Sequence, residues 1–249
     1  MKRMLAAIAL LLFAYIGIAA YPQPMFAYYA THDNYQVWSD RPIPPQIAAV
    51  LNDATRRLKT SELYDKNIPI KIFFCNSPWR LWLYGMHFST RVGGATDTWL
   101  TRNIYIRASD IPANRIHSPG AGPIADAGQR PLSYFIAHEV AHNIESRTFG
   151  RLVMIRYPQW LTEGYADHIG KGGDFDLDAN YRLYQARSPA LDFGKSGLYR
   201  GFHLRYLLLS KQGLGTRQMF AKPPTELELS AMLDSYPVRQ LENGLGVGR

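Results

Sequence analysis

Cysteine is nearly absent from this sequence, since Cys75 is the single cysteine among 249 residues. An intramolecular disulfide is therefore excluded, and the apolar run at 70–74 just before Cys75 predicts a buried structural thiol. Lys and Arg outnumber Asp and Glu by 28 to 20, for a formal charge of +8, but they form no basic run. Such scattered charge fits either a mild affinity for anionic surfaces, such as lipid headgroups, or an ordinary soluble surface. No nucleic-acid-binding signature accompanies it, so no nucleic-acid partner is expected.

Charge is also absent from residues 4–21, which follow Lys2 and Arg3. A basic start followed by an apolar stretch is typical of a secretory signal or a membrane anchor. The 18 uncharged residues exceed a usual signal core and reach the roughly 17–25 residues that span a bilayer. Because the stretch lacks an Ala-x-Ala cleavage site at its end, an uncleaved anchor with its N-terminus inside is favoured over a cleaved signal. Both alternatives place the remaining chain outside the cytoplasm, in the cell envelope or secreted.

The domain organisation expected from these features is simple. Residues 1–21 are the signal or anchor, residues 22–34 are a linker, and residues 35–249 form one domain. The hydrophobic content of 47% is enough for a substantial core in a domain of this size.

Residues 133–147 carry the pattern around which the chain is organised, His138-Glu139-Val140-Ala141-His142. Apolar residues, a proline before the segment and Gly150 after it predict a helix. Residues four apart lie one above the other on a helix, so both imidazoles can reach one metal ion. The intervening Glu139 then faces a water molecule bound to that ion, as in H-E-x-x-H hydrolases.

A second motif, Trp160-Leu161-Thr162-Glu163-Gly164-Tyr165-Ala166-Asp167, follows after a short spacer. A catalytic zinc ion takes three protein ligands and keeps a fourth position for water, and Glu163 is placed to be the third ligand. Asp167 comes one helical turn later. From there it can accept the second ring N–H of a zinc-bound histidine.

Together the two motifs resemble those of the gluzincin metallopeptidases, the superfamily of thermolysin and the aminopeptidases. The resemblance implies zinc as cofactor, His138, His142 and Glu163 as ligands, Glu139 as general base, and Asp167 as the carboxylate supporting the first histidine. It also implies an α+β, zincin-like fold, with a small mixed sheet over the zinc helix and a mainly helical lower part. A peptide or protein substrate would pair with the edge strand of that sheet, for which residues 103–107 are the candidate.

An oxyanion donor is expected opposite the metal. Tyr199-Arg200-Gly201-Phe202 is similar to the downstream helix of gluzincin aminopeptidases that supplies a tyrosine, although the Tyr–Gly gap is one residue shorter here. Tyr199 is the first candidate, with His203 and Tyr157 as alternates. Aminopeptidases of this superfamily also hold the substrate amine with a glutamate in a Gly-rich motif. Gly93-Gly94 has no such acid beside it, which favours an endopeptidase.

The remaining pattern predicts a mixture of short strands and helices. Strands are expected at 35–38, 68–74 and 103–107, and helices at 44–59, 79–84, 159–169, 196–211 and 225–235. A turn is expected at 91–95 and a loop at 109–130.

Three functions are compatible with these features. The first is a zinc-dependent peptidase that acts outside the cytoplasm. The second is a non-catalytic, envelope-tethered binding or assembly protein that retains the peptidase fold, although the complete ligand and base positions argue against it. The third is metal-dependent hydrolysis of amide bonds in cell-wall crosslinks.

Overall fold

The computed structural model describes residues 2–85, 90–117 and 130–236, apart from the side chains of residues 6 and 7. Within these ranges the chain is a mixed α+β structure, with a small sheet in its first half and mostly helices after it. Residues 118–129 of the expected loop, and the end of the chain from 237 onward, lie outside the described residues.

A five-stranded sheet forms the upper layer. Its strands are β1 (Tyr28–His32), β2 (Tyr35–Ser39), β3 (Ile70–Cys75), β4 (Gly94–Thr96) and β5 (Ile104–Arg107), in the spatial order β1-β2-β3-β5-β4. The three central strands run parallel, and β1 and β4 pair antiparallel with their neighbours. The central strand β3 is rich in isoleucine and phenylalanine and buried on both faces, as parallel strands covered by helices must be.

Three expectations about this sheet are wrong. Residues 28–32 lie inside the expected linker, yet they form β1 and pair with β2 along its whole length. The expected turn at 91–95 contains the start of β4. As a result β5, the expected edge strand, is an inner strand between β3 and β4, and β4 is the edge. A short, Gly-containing strand such as β4 has a weak sequence signal because glycine lowers strand propensity.

Helices cover both faces of the sheet. On one face lie α2 (Ile47–Leu58) and α4 (Leu132–Phe149), whose apolar residues join the main core. The smaller helix α3 (Pro78–Tyr84) covers the other face, where Phe26, Phe73, Tyr84 and Tyr105 form an aromatic cluster. Since α4 lies between the sheet and the helices below, nearly all of its residues are buried.

The lower part of the molecule is helical and holds α6 (Gln159–Lys171) between α4 and α9 (Arg200–Lys211). Gly164 permits the close contact of α6 with α9, because a Cβ there would lie 2.6 Å from the carbonyl oxygen of Phe202. The helix expected at 196–211 is interrupted, since Gly197 adopts a left-handed conformation with φ of 66° between α8 (Phe193–Ser196) and α9. The other elements are β6 (Ser109–Asp110), β7 (Arg115–Ile116), α5 (Val153–Arg156), α7 (Leu177–Gln185), α10 (Thr216–Ala221) and α11 (Glu226–Asp234).

The first helix, α1 (Lys2–Ala20), is long and apolar enough to cross a membrane by length and composition. Only 6% of its apolar window is buried against the rest of the protein. A signal sequence would satisfy the same criteria.

Candidate metal centre

Three buried side chains from α4 and α6 meet below the sheet. His138 and His142 lie one turn apart on α4 and are 6% exposed each, and Glu163 on α6 is 8% exposed. The Oε2 atom of Glu163 lies 3.3 Å from Nε2 of His138 and 3.6 Å from Nε2 of His142. The two imidazole rings are nearly perpendicular, with centroids 4.9 Å apart. The expected ligand set is therefore assembled in one place.

The spacing of these donor atoms fits a metal ion. Ligands held about 2.0–2.1 Å from a tetrahedral ion lie about 3.3–3.4 Å from one another, close to the two measured separations. Oε2 of Glu163 is buried and has no hydrogen-bond partner among the residues that the structure describes. Such an unsatisfied buried acceptor, facing two imidazole nitrogens, needs a cation or a proton. Burial raises the pKa of Glu163, but the two histidines outweigh it and lower the pKa to about 2. The group can hold a metal ion.

Glu145 supports the second ligand and was missed by the sequence reasoning. Its Oε2 atom accepts a hydrogen bond of 2.8 Å from Nδ1–H of His142, and its side chain is completely buried. This bond leaves the lone pair of Nε2 on His142 directed at the metal position. Burial raises the pKa of Glu145 to about 7, although the neighbouring His142 opposes the shift. The available signal was its spacing, because residues three apart on a helix face each other.

The expectation that Asp167 supports the first histidine is wrong. Its Oδ2 atom accepts a hydrogen bond of 2.9 Å from Nδ1–H of His203, and its Oδ1 atom accepts one from the Tyr134 hydroxyl. Lys171 lies 3.1 Å from Oδ2. With both oxygens occupied, Asp167 joins α4, α6 and α9 behind the ligands, while Nδ1 of His138 has no partner within the described part of the chain. Burial raises the pKa of Asp167, but His203, Lys171 and Tyr134 hold it well below its usual range.

Glu139 lies between the two histidines on the side that faces β4. The hydroxyl of Thr96 is 2.8 Å from Oε2 of Glu139 and 2.8 Å from its backbone oxygen, so the edge strand holds this carboxylate in place. A side chain on Gly94 would not fit, because a Cβ there would lie 2.8 Å from Cγ and 3.0 Å from Oε1 of Glu139. Gly94 is therefore required for the close approach of the sheet to α4.

An open cleft of about 580 Å³ runs past the centre between β4 and α5, and a smaller recess of about 180 Å³ continues it on the other side. His138, Glu139 and Tyr199 line both parts. The rim of the larger part carries exposed apolar side chains, with Trp99 50% and Ile155 65% exposed. The smaller recess is lined by Arg91 and Arg130.

Of the three candidates for an oxyanion donor, Tyr199 lines this cleft. Its ring stacks on the ring of His138, with centroids 5.4 Å apart and an angle of 12°. Burial, with the negative charges of Glu163 and Glu139, raises its pKa well above the usual value, which keeps the phenol a proton donor. Within the described ranges His203 and Tyr157 do not line the cleft. His203 uses both ring nitrogens, bonded to Asp167 and His168, and Tyr157 packs against an aromatic cluster.

No protein-family model, curated protein or solved structure matches the chain. The assignment of a function therefore depends on the two sequence motifs and on the geometry of the side chains that they bring together.

Proposed function

We propose that this protein is a zinc-dependent peptidase of the gluzincin type, with a zincin-like fold, that hydrolyses peptide bonds outside the cytoplasm. We propose further that α1 anchors it in the membrane, with Lys2 and Arg3 on the inner side. The observation that carries the proposal is the convergence of two imidazole nitrogens and one carboxylate oxygen on a single point. Glu139, a carboxylate that does not belong to this ligand set, lies beside them at the cleft.

Zinc is the ion that best suits these ligands, because His₂Glu sets with an open fourth position are typical of catalytic zinc. A zinc ion held there would lower the pKa of a bound water molecule and polarise the scissile carbonyl group. Glu139 accepts the proton of the attacking water on its carboxylate and passes it to the nitrogen of the leaving amine. The Thr96 hydroxyl keeps that carboxylate in place, and the phenol of Tyr199 donates a hydrogen bond to the developing oxyanion.

The edge strand β4 offers the substrate a place to bind as an added strand. The backbone oxygen of Gly93 accepts a hydrogen bond from the N–H of Arg107 on the neighbouring inner strand β5, and the N–H of Asp97 donates one to the oxygen of Asn103, just before β5. Bonding alternates along an antiparallel pair, so the N–H and C=O groups of Gly94 and Thr96 point away from β5. A peptide in extended conformation would pair with these groups and pass directly over Glu139.

Cleavage inside a chain is favoured over removal of a terminal residue. Asp97 directly follows β4, and the two oxygens of its carboxylate accept hydrogen bonds from the backbone of Trp99, Leu100 and Thr101. The hydroxyl of Thr101 donates another. This carboxylate therefore organises the following turn and is not available to bind the free amine of a substrate. The cleft also continues on both sides of the metal position.

The test is to measure zinc content and cleavage of a fluorogenic peptide library on the full chain. We expect one zinc per chain, cleavage that stops with a chelator, and a fall of at least about 10²-fold in turnover for Glu139→Gln, since general base catalysis contributes about 10²–10⁴-fold. Zinc content should not change in that variant. Glu226→Gln is the matched control, because Glu226 is 68% exposed on α11. Zinc binding without cleavage of any peptide would instead support a non-catalytic binding protein.

A further inference from the structure

Helix α3 exposes two tryptophans on one face. Trp79 is 47% and Trp82 is 46% exposed, and residues three apart lie on the same side of a helix. The opposite face of α3 is buried, because Leu81 and Tyr84 pack on the aromatic side of the sheet. Two half-exposed indole rings on so short a helix require a reason, since large apolar side chains on one face are a feature of interaction surfaces.

The tryptophan-bearing helix is joined to the N-terminal helix. The hydroxyl of Tyr15 on α1 donates a hydrogen bond of 3.2 Å to the backbone oxygen of Leu83, near the end of α3. At the other end of α3, Nε of Arg80 donates one of 3.2 Å to the backbone oxygen of Met25. Phe26 follows and packs on Phe73, with ring centroids 5.1 Å apart. Contacts at both ends thus fix α3 beside the place where α1 leads into the sheet.

The length of α1 sets the depth of α3. Its 19 residues span about 28 Å, against a hydrocarbon layer of about 30 Å, so a spanning α1 uses its entire length. Tyr15 lies five residues before the end of α1, at roughly 7.5 Å along the axis. Its bond to Leu83 therefore sets this end of α3 about 7.5 Å inside the end of α1. That depth matches the roughly 5–10 Å at which interfacial helices lie at the boundary between acyl chains and headgroups.

We propose that the face of α3 formed by Trp79 and Trp82 docks onto the outer surface of the lipid bilayer. The inference rests on the anchoring role of α1 in the proposed function. Tryptophan suits this position because its ring is apolar and its N–H seeks a polar partner, which is why it is enriched at both membrane interfaces. Arg80 lies 4.4 Å from the Trp79 ring and is paired with Asp40 at 2.9 Å, so the two indole rings and not a free charge would make the contact with lipid. Since the same contacts hold α1 and α3 together, the face meets lipid whenever α1 is inserted.

Tryptophan fluorescence tests this proposal on the full chain, because α1 contains no tryptophan and all emission comes from the rest of the protein. The protein is reconstituted in vesicles of phosphatidylcholine and phosphatidylglycerol whose acyl chains are brominated near the headgroup. We expect bromolipid to quench the wild-type emission, and the double variant Trp79→Phe with Trp82→Phe to lose most of that quenching. Trp99→Phe is the matched control, because Trp99 is 50% exposed at the cleft, and it should keep the quenching.

Quenching that is equal in the double variant and the wild type would overturn the proposal. Wild-type emission that is the same in brominated and unbrominated vesicles would also overturn it. A dimer cross-linked through α3 would then assign this face to a second copy of the chain. The variants should fold, because phenylalanine replaces tryptophan rings that are about half exposed. Circular dichroism checks their folding. The mass of the chain, its zinc content and its peptide cleavage are measured on the same sample. Absence of quenching in the wild type, with α1 retained and cleavage intact, contradicts docking alone. A chain that lacks α1 instead removes the premise of docking and leaves the peptidase proposal standing.

Discussion

Replacing Glu145 by glutamine should weaken zinc binding while leaving the stability of the metal-free protein almost unchanged. The Glu145 carboxylate accepts the Nδ1–H of His142 at 2.8 Å, in a site without solvent access. The negative charge of Glu145 makes Nε2 of His142 a better electron-pair donor to the metal, and the hydrogen bond fixes the tautomer of the ring. Glutamine preserves the size and an acceptor but removes the charge. We therefore expect the variant to fold and to bind zinc more weakly.

The expected loss follows from the geometry. Mutation of the hydrogen-bond partner of a metal-ligating histidine typically costs 10–100-fold in metal affinity, which corresponds to about 1.4–2.8 kcal/mol. The cost to the metal-free protein should be smaller. A hydrogen bond to a charged group contributes about 1.5–3 kcal/mol against about 1 kcal/mol for a neutral one, and relief of the burial of the charge offsets that difference. The free energy of unfolding of the metal-free variant should therefore lie within about 1 kcal/mol of wild type.

The assay pairs a competition titration of zinc against a fluorescent chelator with urea unfolding of the metal-free protein. Glu139→Gln is the control from the same helix, because the Glu139 carboxylate is bonded to Thr96 on β4 and not to the Nδ1 atom of either histidine ligand. It should leave zinc affinity unchanged and stop hydrolysis, whereas Glu145→Gln at saturating zinc should still hydrolyse peptides. Wild-type zinc affinity in Glu145→Gln, or the same loss in Glu139→Gln, would refute the reasoning.

Three further predictions follow from other parts of the structure. Gly94→Ala places a Cβ 2.8 Å from Cγ of Glu139, so kcat should fall about 10²-fold, as for a misplacement of about 1 Å, with zinc content unchanged; wild-type turnover would contradict the assigned packing. When free zinc is held at a hundred times its Kd, removing it should lower the free energy of unfolding by about 2.7 kcal/mol and the Tm by roughly 5–10 °C, as measured by calorimetry. Desolvation raises the pKa of Asp40, but hydrogen bonds from Asn76 and Ser77 and the charge of Arg80 outweigh it and hold this pKa below the usual value. A lowered pKa in the folded state stabilises the protein above the unfolded pKa of about 3.9, and this stabilisation is lost as pH falls. Wild type should thus lose more stability than Asp40→Asn on acidification below about pH 5, and parallel losses in denaturant titrations would exclude this role.

The sequence was most informative where one element alone determines the geometry. His138 and His142 are four residues apart on a helix with clear end signals, so their convergence required no knowledge of the fold. Glu163 needed the second motif, from which it was expected as the third ligand, and its position beside both histidines agrees with that expectation. The resemblance implied an α+β class, the apolar patterns predicted a mixture of short strands and helices, and helices α2, α4 and α6 were correctly expected.

What the sequence could not supply were contacts between distant segments. The spacing showed which side of α6 carries Asp167. It could not show that Nδ1 of His203 on α9 lies 2.9 Å from Oδ2 of Asp167, because that contact depends on how the two helices pack. The interior position of β5 depends on pairing with β4, whose three residues include a glycine and give little strand signal. The break at Gly197 was detectable in principle, because glycine readily adopts the left-handed conformation found there.

The most direct test of the central claim is a crystal structure of the zinc-loaded protein with anomalous scattering measured at the zinc edge. One zinc peak should lie within about 2.0–2.2 Å of Nε2 of His138, Nε2 of His142 and a carboxylate oxygen of Glu163, with Glu139 close by but not bound. A peak elsewhere in the molecule, or the absence of zinc between these three side chains, would contradict the account.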